Sequence, residues 1–274
     1  MKKKLLITMG CSLTEGVGCY DINTIPKELL NSDKNSYKIS DFMEIYDLNL
    51  PRFHELGWPN HVGKKLGYDK VINLGFGGSS TSSQVKLFFE KYPTETFDAW
   101  EVLIIFMLPD PARFSFYINN KIKSYVPTNR NESIAVDYLK SINNIKYDTS
   151  LEQIFYIKLM EEVCKNRNFN FIYFNHSHLI NEFISKLYPN ENQLMGSKSY
   201  EGPGDDWDHS IEFYSPVCNH PNEHGYAAIS NYICDDIYNQ FPQYVGNPKD
   251  EIEWEWNGES IDHSDIIDAI ERII

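Results

Sequence analysis

Four apolar runs punctuate the chain: LLITM at 5–9, VINL at 71–74, VLIIFML at 102–108 and FNFIYF at 169–174. Each is continuous rather than alternating, the pattern of strands buried on both faces of a parallel sheet. The segments between them carry helical signals. Trp58-Pro59 opens a short helix, proline being suited to a first turn, and Gly67 closes it. Thr81 and Gln84 read as a capping box for a helix near 81–91. Thr149 and Glu152 read the same way for a helix running to about Arg167, with Leu151, Phe155, Leu159 and Val163 as its expected apolar stripe. A further helix from about 222 to 240 sets Tyr226, Ile229, Ile233 and Ile237 on one face. Strands alternating with helices predict an α/β fold, a mostly parallel sheet covered on both sides.

Several stretches interrupt this alternation. Residues 20–56 are polar with scattered apolar patches (Phe42, Ile45, Leu48) and are expected to form an irregular lid or rim. FSFYI and KIKSYV flank Asn119-Asn120 and predict a hairpin inside a second insertion near 113–148. Residues 190–219 form a long polar loop containing GPGDDWDHS, and loops of that length are usually functional or disordered. The domain is expected to span 1–245, followed by an acidic tail at 246–274. In the tail, EIEWEW places Ile252, Trp254 and Trp256 on one side, ahead of an isoleucine-rich helix ending at Ile274. Packing back onto the domain is the expected fate of this tail, and self-association through it is the alternative.

Composition narrows the functional classes. A length of 274 residues supports a sizeable core, and 42% hydrophobic residues exclude wholesale disorder. The net charge of -14 repels phosphate backbones, so nucleic acid is not an expected partner. No apolar run reaches membrane-spanning length, so neither is a membrane. The five cysteines show no CxxC pair and no zinc spacing, which suits reduced thiols in a cytoplasmic setting. The opening MKKKLLITMGC has the outline of a lipoprotein signal, but its apolar stretch is short and Thr8 interrupts it. It reads as a strand.

Candidate chemistry sits in four loops: MGCSLTEG, NLGFGG, LPDPAR and CNHPNEHG. Three follow strands and the fourth precedes the 222–240 helix, so all should meet at the carboxyl edge, where open α/β sheets hold ligands. Ser12 is a candidate nucleophile, and a helix starting there would aim its own N–H at a developing oxyanion. His220 is the candidate base, since a serine hydroxyl attacks only when a neutral imidazole takes its proton. The positive end of the following helix is expected to keep that imidazole neutral. His176, His178, His209, His220 and His224 leave a metal reading open, but no carboxylate–histidine signature accompanies them, and neither metal nor cofactor is expected.

Together these segments resemble the SGNH (GDSL) hydrolases, most of all the divergent GCS variants common in phages, from residue 4 to about 240 with the two insertions and the tail excluded. The resemblance implies a three-layer α/β/α sandwich of flavodoxin-like topology. It also implies cofactor-free hydrolysis of esters, often acyl groups on carbohydrates or lipids. Position by position, Ser12 matches the nucleophile and His220, in HPN followed by Gly225, matches the base. Gly78, closing Asn73-Leu74-Gly75-Phe76-Gly77-Gly78, matches the glycine whose N–H joins that of Ser12 in the oxyanion hole.

Three departures stand out. Cys11 replaces the aspartate before the nucleophile; neighbours in an extended segment point apart, so it is expected to be structural, and Cys11 and Arg113 are the residues placed nearest the substrate. The asparagine block after the third strand is replaced by LPDPAR, leaving Arg113 to supply charge and Asn175 as a weaker oxyanion donor. The acid normally two or three residues before the histidine is missing, since Cys218 and Val217 stand there. Either a Ser-His dyad operates, or Asp205, Asp206 or Asp208 folds back from the preceding loop. The expected partner is a small or glycan-borne ester. A non-catalytic descendant that binds glycan or serves in virion assembly is the competing reading.

Overall fold

The structure, a computed structural model, describes residues 2–27, 39–111, 113–118, 121–125, 145–196, 213–215 and 220–258. In chain order it comprises β1 (Lys3–Met9), α1 (Ser12–Glu15), α2 (Ile39–Leu56), α3 (Trp58–Lys65), β2 (Lys70–Asn73), α4 (Thr81–Lys91) and β3 (Trp100–Leu108). Then come the hairpin strands β4 (Phe114–Ile118) and β5 (Lys121–Tyr125), α5 (Ile145–Arg167), β6 (Asn170–Asn175), α6 (His178–Leu187), α7 (Glu223–Gln240) and β7 (Glu253–Trp256). All four predicted core strands form.

Five strands make one parallel sheet in the order β6-β3-β1-β2-β7. Because the strands are buried on both sides, successive residues feed two different cores. Leu6, Leu103, Ile105, Met107, Ile172 and Phe174 face one core with α2, α3 and α7. Leu5, Ile7, Met9, Ile104, Phe106 and Phe171 face the other with α4 and α5. This is the expected three-layer α/β/α arrangement. The chain leaves β1 for β2 on one side and then crosses to β3 on the other, so β1 ends beside the switch point where such sheets bind ligands.

The predicted hairpin forms a separate two-stranded sheet, with Phe114 opposite Tyr125. The fifth strand of the main sheet comes from the tail. After α7 the chain runs back past α3, where the Gly246 N–H donates to Leu66 O (2.8 Å) and the Lys249 N–H to Lys64 O (2.9 Å). That path delivers EWEW to the open edge of β2. There Lys70 Nζ meets Glu253 and Glu255, each at 2.8 Å. The flavodoxin-like order places a fifth strand beside the fourth, next to β6; here it lies beside β2. The isoleucine-rich segment beyond 258 lies outside the described residues.

Three expectations need correction. Residues 39–56, read as irregular, form an 18-residue helix. Its inward face mixes Ile45, Tyr46, Asn49 and Phe53, while Leu48 is exposed, and Pro51 lies within the helix, so the sequence lacked a clean apolar period. The cap of α4 is a reciprocal pair of Ser80 and Ser83, one residue ahead of the Thr81–Gln84 box. The apolar stripe on α5 was assigned to the wrong face: Phe155 is 62% exposed and Leu151 43%, whereas Ile154, Ile157, Met160 and Cys164 are buried. Both stripes have helical spacing, and only the position of the sheet decides between them. Truncation at the two faces should therefore differ. Ile157→Ala is expected to lose about 2–5 kcal/mol of unfolding free energy in a denaturant titration and Phe155→Ala within about 0.5 kcal/mol of none.

Candidate active site

β1 delivers the chain to a tight turn at Gly10. A Cβ there would lie 2.1 Å from Thr14 Oγ1 and 2.8 Å from Met107 O, so only glycine lets the turn close against the end of β3. The Gly10 N–H donates to Gln84 Oε1 (3.1 Å), and its carbonyl accepts from Ser79 Oγ (3.0 Å) and the Phe76 N–H (3.3 Å). Gln84, expected to cap α4, instead holds this turn. Cys11 then sits at the N-cap of α1, its carbonyl accepting from the N–H groups of Thr14 (2.8 Å) and Glu15 (3.0 Å), and Ser12 is the first helical residue. Asn73 braces the arrangement from β2: its Nδ2 donates to Thr14 O (2.8 Å) and its Oδ1 accepts from the Gly75 N–H (2.8 Å).

His220 arrives from the other end of the chain. A short antiparallel bridge pairs Tyr214 with Pro221, and the Ser215 N–H donates to His220 O (2.9 Å). Asn222 caps α7, its side chain accepting from the Gly225 N–H (3.0 Å). This segment presses on the residues just after α1. Gly18 has φ +118°, and a Cβ there would lie 2.1 Å from Pro221 O and 3.0 Å from His220 Cβ. Tyr226 Oη, donating to Val17 O (2.8 Å), pins α7 to the same stretch.

The outcome is a 2.8 Å contact between His220 Nε2 and Ser12 Oγ. Burial, and secondarily the positive charge of Arg113, lower the His220 pKa to about 4, so the ring is neutral at pH 7. Burial and Arg113 thus lower the pKa in the direction expected of the α7 dipole. With its hydrogen on Nδ1, the neutral ring accepts the Ser12 hydroxyl proton at Nε2. Nδ1 itself is buried and has no hydrogen-bond partner among the described residues. Asp205, Asp206 and Asp208, the candidate acids, lie outside the described residues, as does His209.

The other sequence candidates fall as follows. Gly78 has φ +71° and lies in the loop that folds against Gly10, two residues before Ser12. Asn175 is fully buried one strand beyond β3 and joined to α6: its N–H donates to Asn181 Oδ1 (2.5 Å) and its Oδ1 accepts from the Ser177 N–H (3.0 Å). No hydrogen bond brings Asn175 to Ser12. Cys11 is 1% exposed, at the N-cap of α1. Arg113, half-buried, begins the excursion to β4, its N–H donating to Asp110 O (2.9 Å). No three histidine, cysteine or carboxylate side chains gather as metal ligands among the described residues. No described helix is long and apolar enough to cross a membrane. A cavity of about 650 Å³ lies away from the site at the amino end of β6, between Glu161, Phe169, Tyr188 and Asn190.

A buried polar cluster behind α1 was missed. Glu15 is 2% exposed; its Oε1 accepts from Tyr46 Oη (3.0 Å) and lies 3.7 Å from His54 Nε2. His54 stacks on Trp256, ring centroids 4.2 Å apart, and Trp256 Nε1 donates to Gly75 O (2.9 Å). The cluster thus links α1, α2 and β7 to the loop after β2. Tyr46 and His54 were unreadable as partners because α2 had not been recognised as a helix. The available signal was the eight-residue spacing that puts both on one helical face.

No family model and no curated protein matches the chain. Among solved structures it is similar to a protein of the lipolytic G-D-S-L family from Desulfitobacterium hafniense DCB-2, at 14% identity and a TM-score of 0.47, covering 85% of this chain and 99% of that one. It is also similar to a carbohydrate acetylesterase family member from Sinorhizobium meliloti, at 12% identity and a TM-score of 0.42, covering 87% and 99%. Neither likeness carries weight in assigning the site, which stands on its geometry.

The approach of His220 to Ser12 depends on Gly18 lacking a side chain. Gly18→Ala is expected to cost about 1–3 kcal/mol from backbone strain at positive φ, with more from the clash on Pro221. A lowered denaturation midpoint checks this, and an unchanged one contradicts it.

Proposed function

We propose that this chain is a serine ester hydrolase of the SGNH type, acting on an O-acyl ester that is small or carried on a carbohydrate. The observation behind the proposal is the 2.8 Å contact between Ser12 Oγ and a buried, neutral His220 Nε2 at the carboxyl edge of the sheet.

In the proposed reaction Ser12 Oγ attacks the acyl carbon while its proton passes to His220 Nε2. The carbonyl oxygen becomes an oxyanion facing the N–H groups of Ser12 and Gly78. Collapse expels the alcohol, which takes the proton from His220 and leaves an acyl-Ser12. Water then attacks that ester with His220 again accepting a proton, and collapse releases the acid and restores the serine. No cofactor enters. Cys11 and Asn73 hold the nucleophile's turn, and an aspartate of the 205–208 segment is the candidate partner for Nδ1.

Ser12→Ala and His220→Ala should each lower kcat on 4-nitrophenyl acetate by about ten-thousandfold or more, since the two act as one unit. Retained turnover in Ser12→Ala would overturn the reading. Protonating His220 removes the base, and its pKa of about 4 lies below the free-histidine value. The acid limb of kcat/KM, which reports the free enzyme, should therefore fall near pH 4, with a plateau down to about pH 5. A limb near pH 6.5 on a neutral ester contradicts a lone Ser-His dyad and means that a carboxylate pairs with Nδ1.

A further inference from the structure

Arg113 stands apart from the other described arginines. Arg52 pairs with Glu223 at 3.1 Å, and Arg167 donates to the carbonyls of Tyr92 (2.6 Å) and Pro93 (2.7 Å). The Nε and Nη1 of Arg113 are instead closed off from solvent and have no acceptor among the described residues. A guanidinium stays charged at any ordinary pH, and burying its donors unpaired is costly. In a chain with 39 carboxylate residues against 25 lysines and arginines, Arg113 has no carboxylate partner among the described residues.

Its position says where that anion would lie. β3 pairs with β1 up to Met9 opposite Phe106, so the segment 109–113 leaves the sheet beside the Gly10–Ser12 turn. Arg113 is also the charge that acts on His220. Resting on the hydrolase reading above, we propose that Arg113 anchors a carboxylate carried by the substrate beside its ester, making the enzyme selective for anionic esters. The transition-state oxyanion is a poorer occupant, because the N–H groups of Ser12 and Gly78 are already assigned to it.

The anchor also bears on catalysis. An unpaired guanidinium whose charge acts on His220 opposes the positive charge the ring must take up when it accepts the serine proton. A carboxylate seated on Arg113 neutralises that opposition before the chemistry begins. The substrate that binds best is then also the one for which the base works best, and selectivity appears in kcat as well as in KM.

Two matched pairs of esters test the proposal, one charged on the acyl side and one on the alcohol side. The first is 4-nitrophenyl hydrogen succinate against 4-nitrophenyl butyrate; the second is an O-acetylated methyl glucuronide against the O-acetylated methyl glucoside. The wild type should favour the anionic member of at least one pair by about ten- to a hundredfold in kcat/KM, the worth of one charge-assisted contact. The ratio should collapse toward one in Arg113→Gln and be partly kept in Arg113→Lys. A ratio near one in the wild type for both pairs, or a preference that survives Arg113→Gln, overturns the proposal. A binding arm separates it from the hydrolase reading. Succinate or glucuronate, but not succinamide or glucose, should raise the melting temperature of wild type and Ser12→Ala, and not of Arg113→Gln. If Ser12→Ala keeps full ester turnover, the hydrolase reading falls while this arm still decides the anchor: a carboxylate shift lost in Arg113→Gln upholds it, and no shift in any form removes it.

Discussion

The contact between Ser12 Oγ and His220 Nε2 joins side chains 208 residues apart, and most of the site's architecture is explained by what that closeness demands. On one side it needs a strand that stops and turns within two residues. Gly10, Cys11 and the cross-braces from Gln84 and Asn73 provide that turn. On the other side it needs a helix start brought close to the segment after α1. The absent side chain at Gly18, the Tyr226 hydroxyl on Val17 and the Asn222 cap provide that approach. The parallel sheet aligns the strand ends so that these devices act at one edge.

Electrostatics at that edge are asymmetric. The protein is strongly acidic, yet the charge that acts on His220 is a cation, Arg113. Burial and that cation both favour the neutral imidazole, so the ring is ready to accept a proton but binds it weakly. Behind the Ser12 helix, Glu15 is buried against Tyr46 and His54, and the His54 ring stacks on Trp256. Glu15, buried close to the Ser12 turn, ties α1 to α2 through the hydrogen bond from Tyr46 Oη.

Much of this was readable in the residues, for identifiable reasons. Continuous apolar runs mark doubly covered strands whatever their partners, so β1, β2, β3 and β6 were found from pattern alone. Ser12 and His220 were singled out by the Gly10 turn and the HPN segment together with the family resemblance, and the structure brings the two side chains to 2.8 Å. What escaped was set by packing at a distance. Phe155 and Ile157 sit in equally periodic stripes, and the sheet alone chooses between them. The helix at 39–56 hides its period behind Asn49 and Pro51, and with it went the Glu15 cluster. The place of β7 beside β2 depends on the path of residues 242–252 along α3, which no local signal encodes.

Whether the buried serine is a nucleophile is decided most directly by a fluorophosphonate, which reacts only with an activated serine hydroxyl. Intact-protein and peptide mass spectrometry of the folded chain should show a single adduct on the peptide containing Ser12, strongly diminished in His220→Ala. No adduct on folded protein, or one on a different serine, would contradict the pairing of Ser12 with His220 as a catalytic unit.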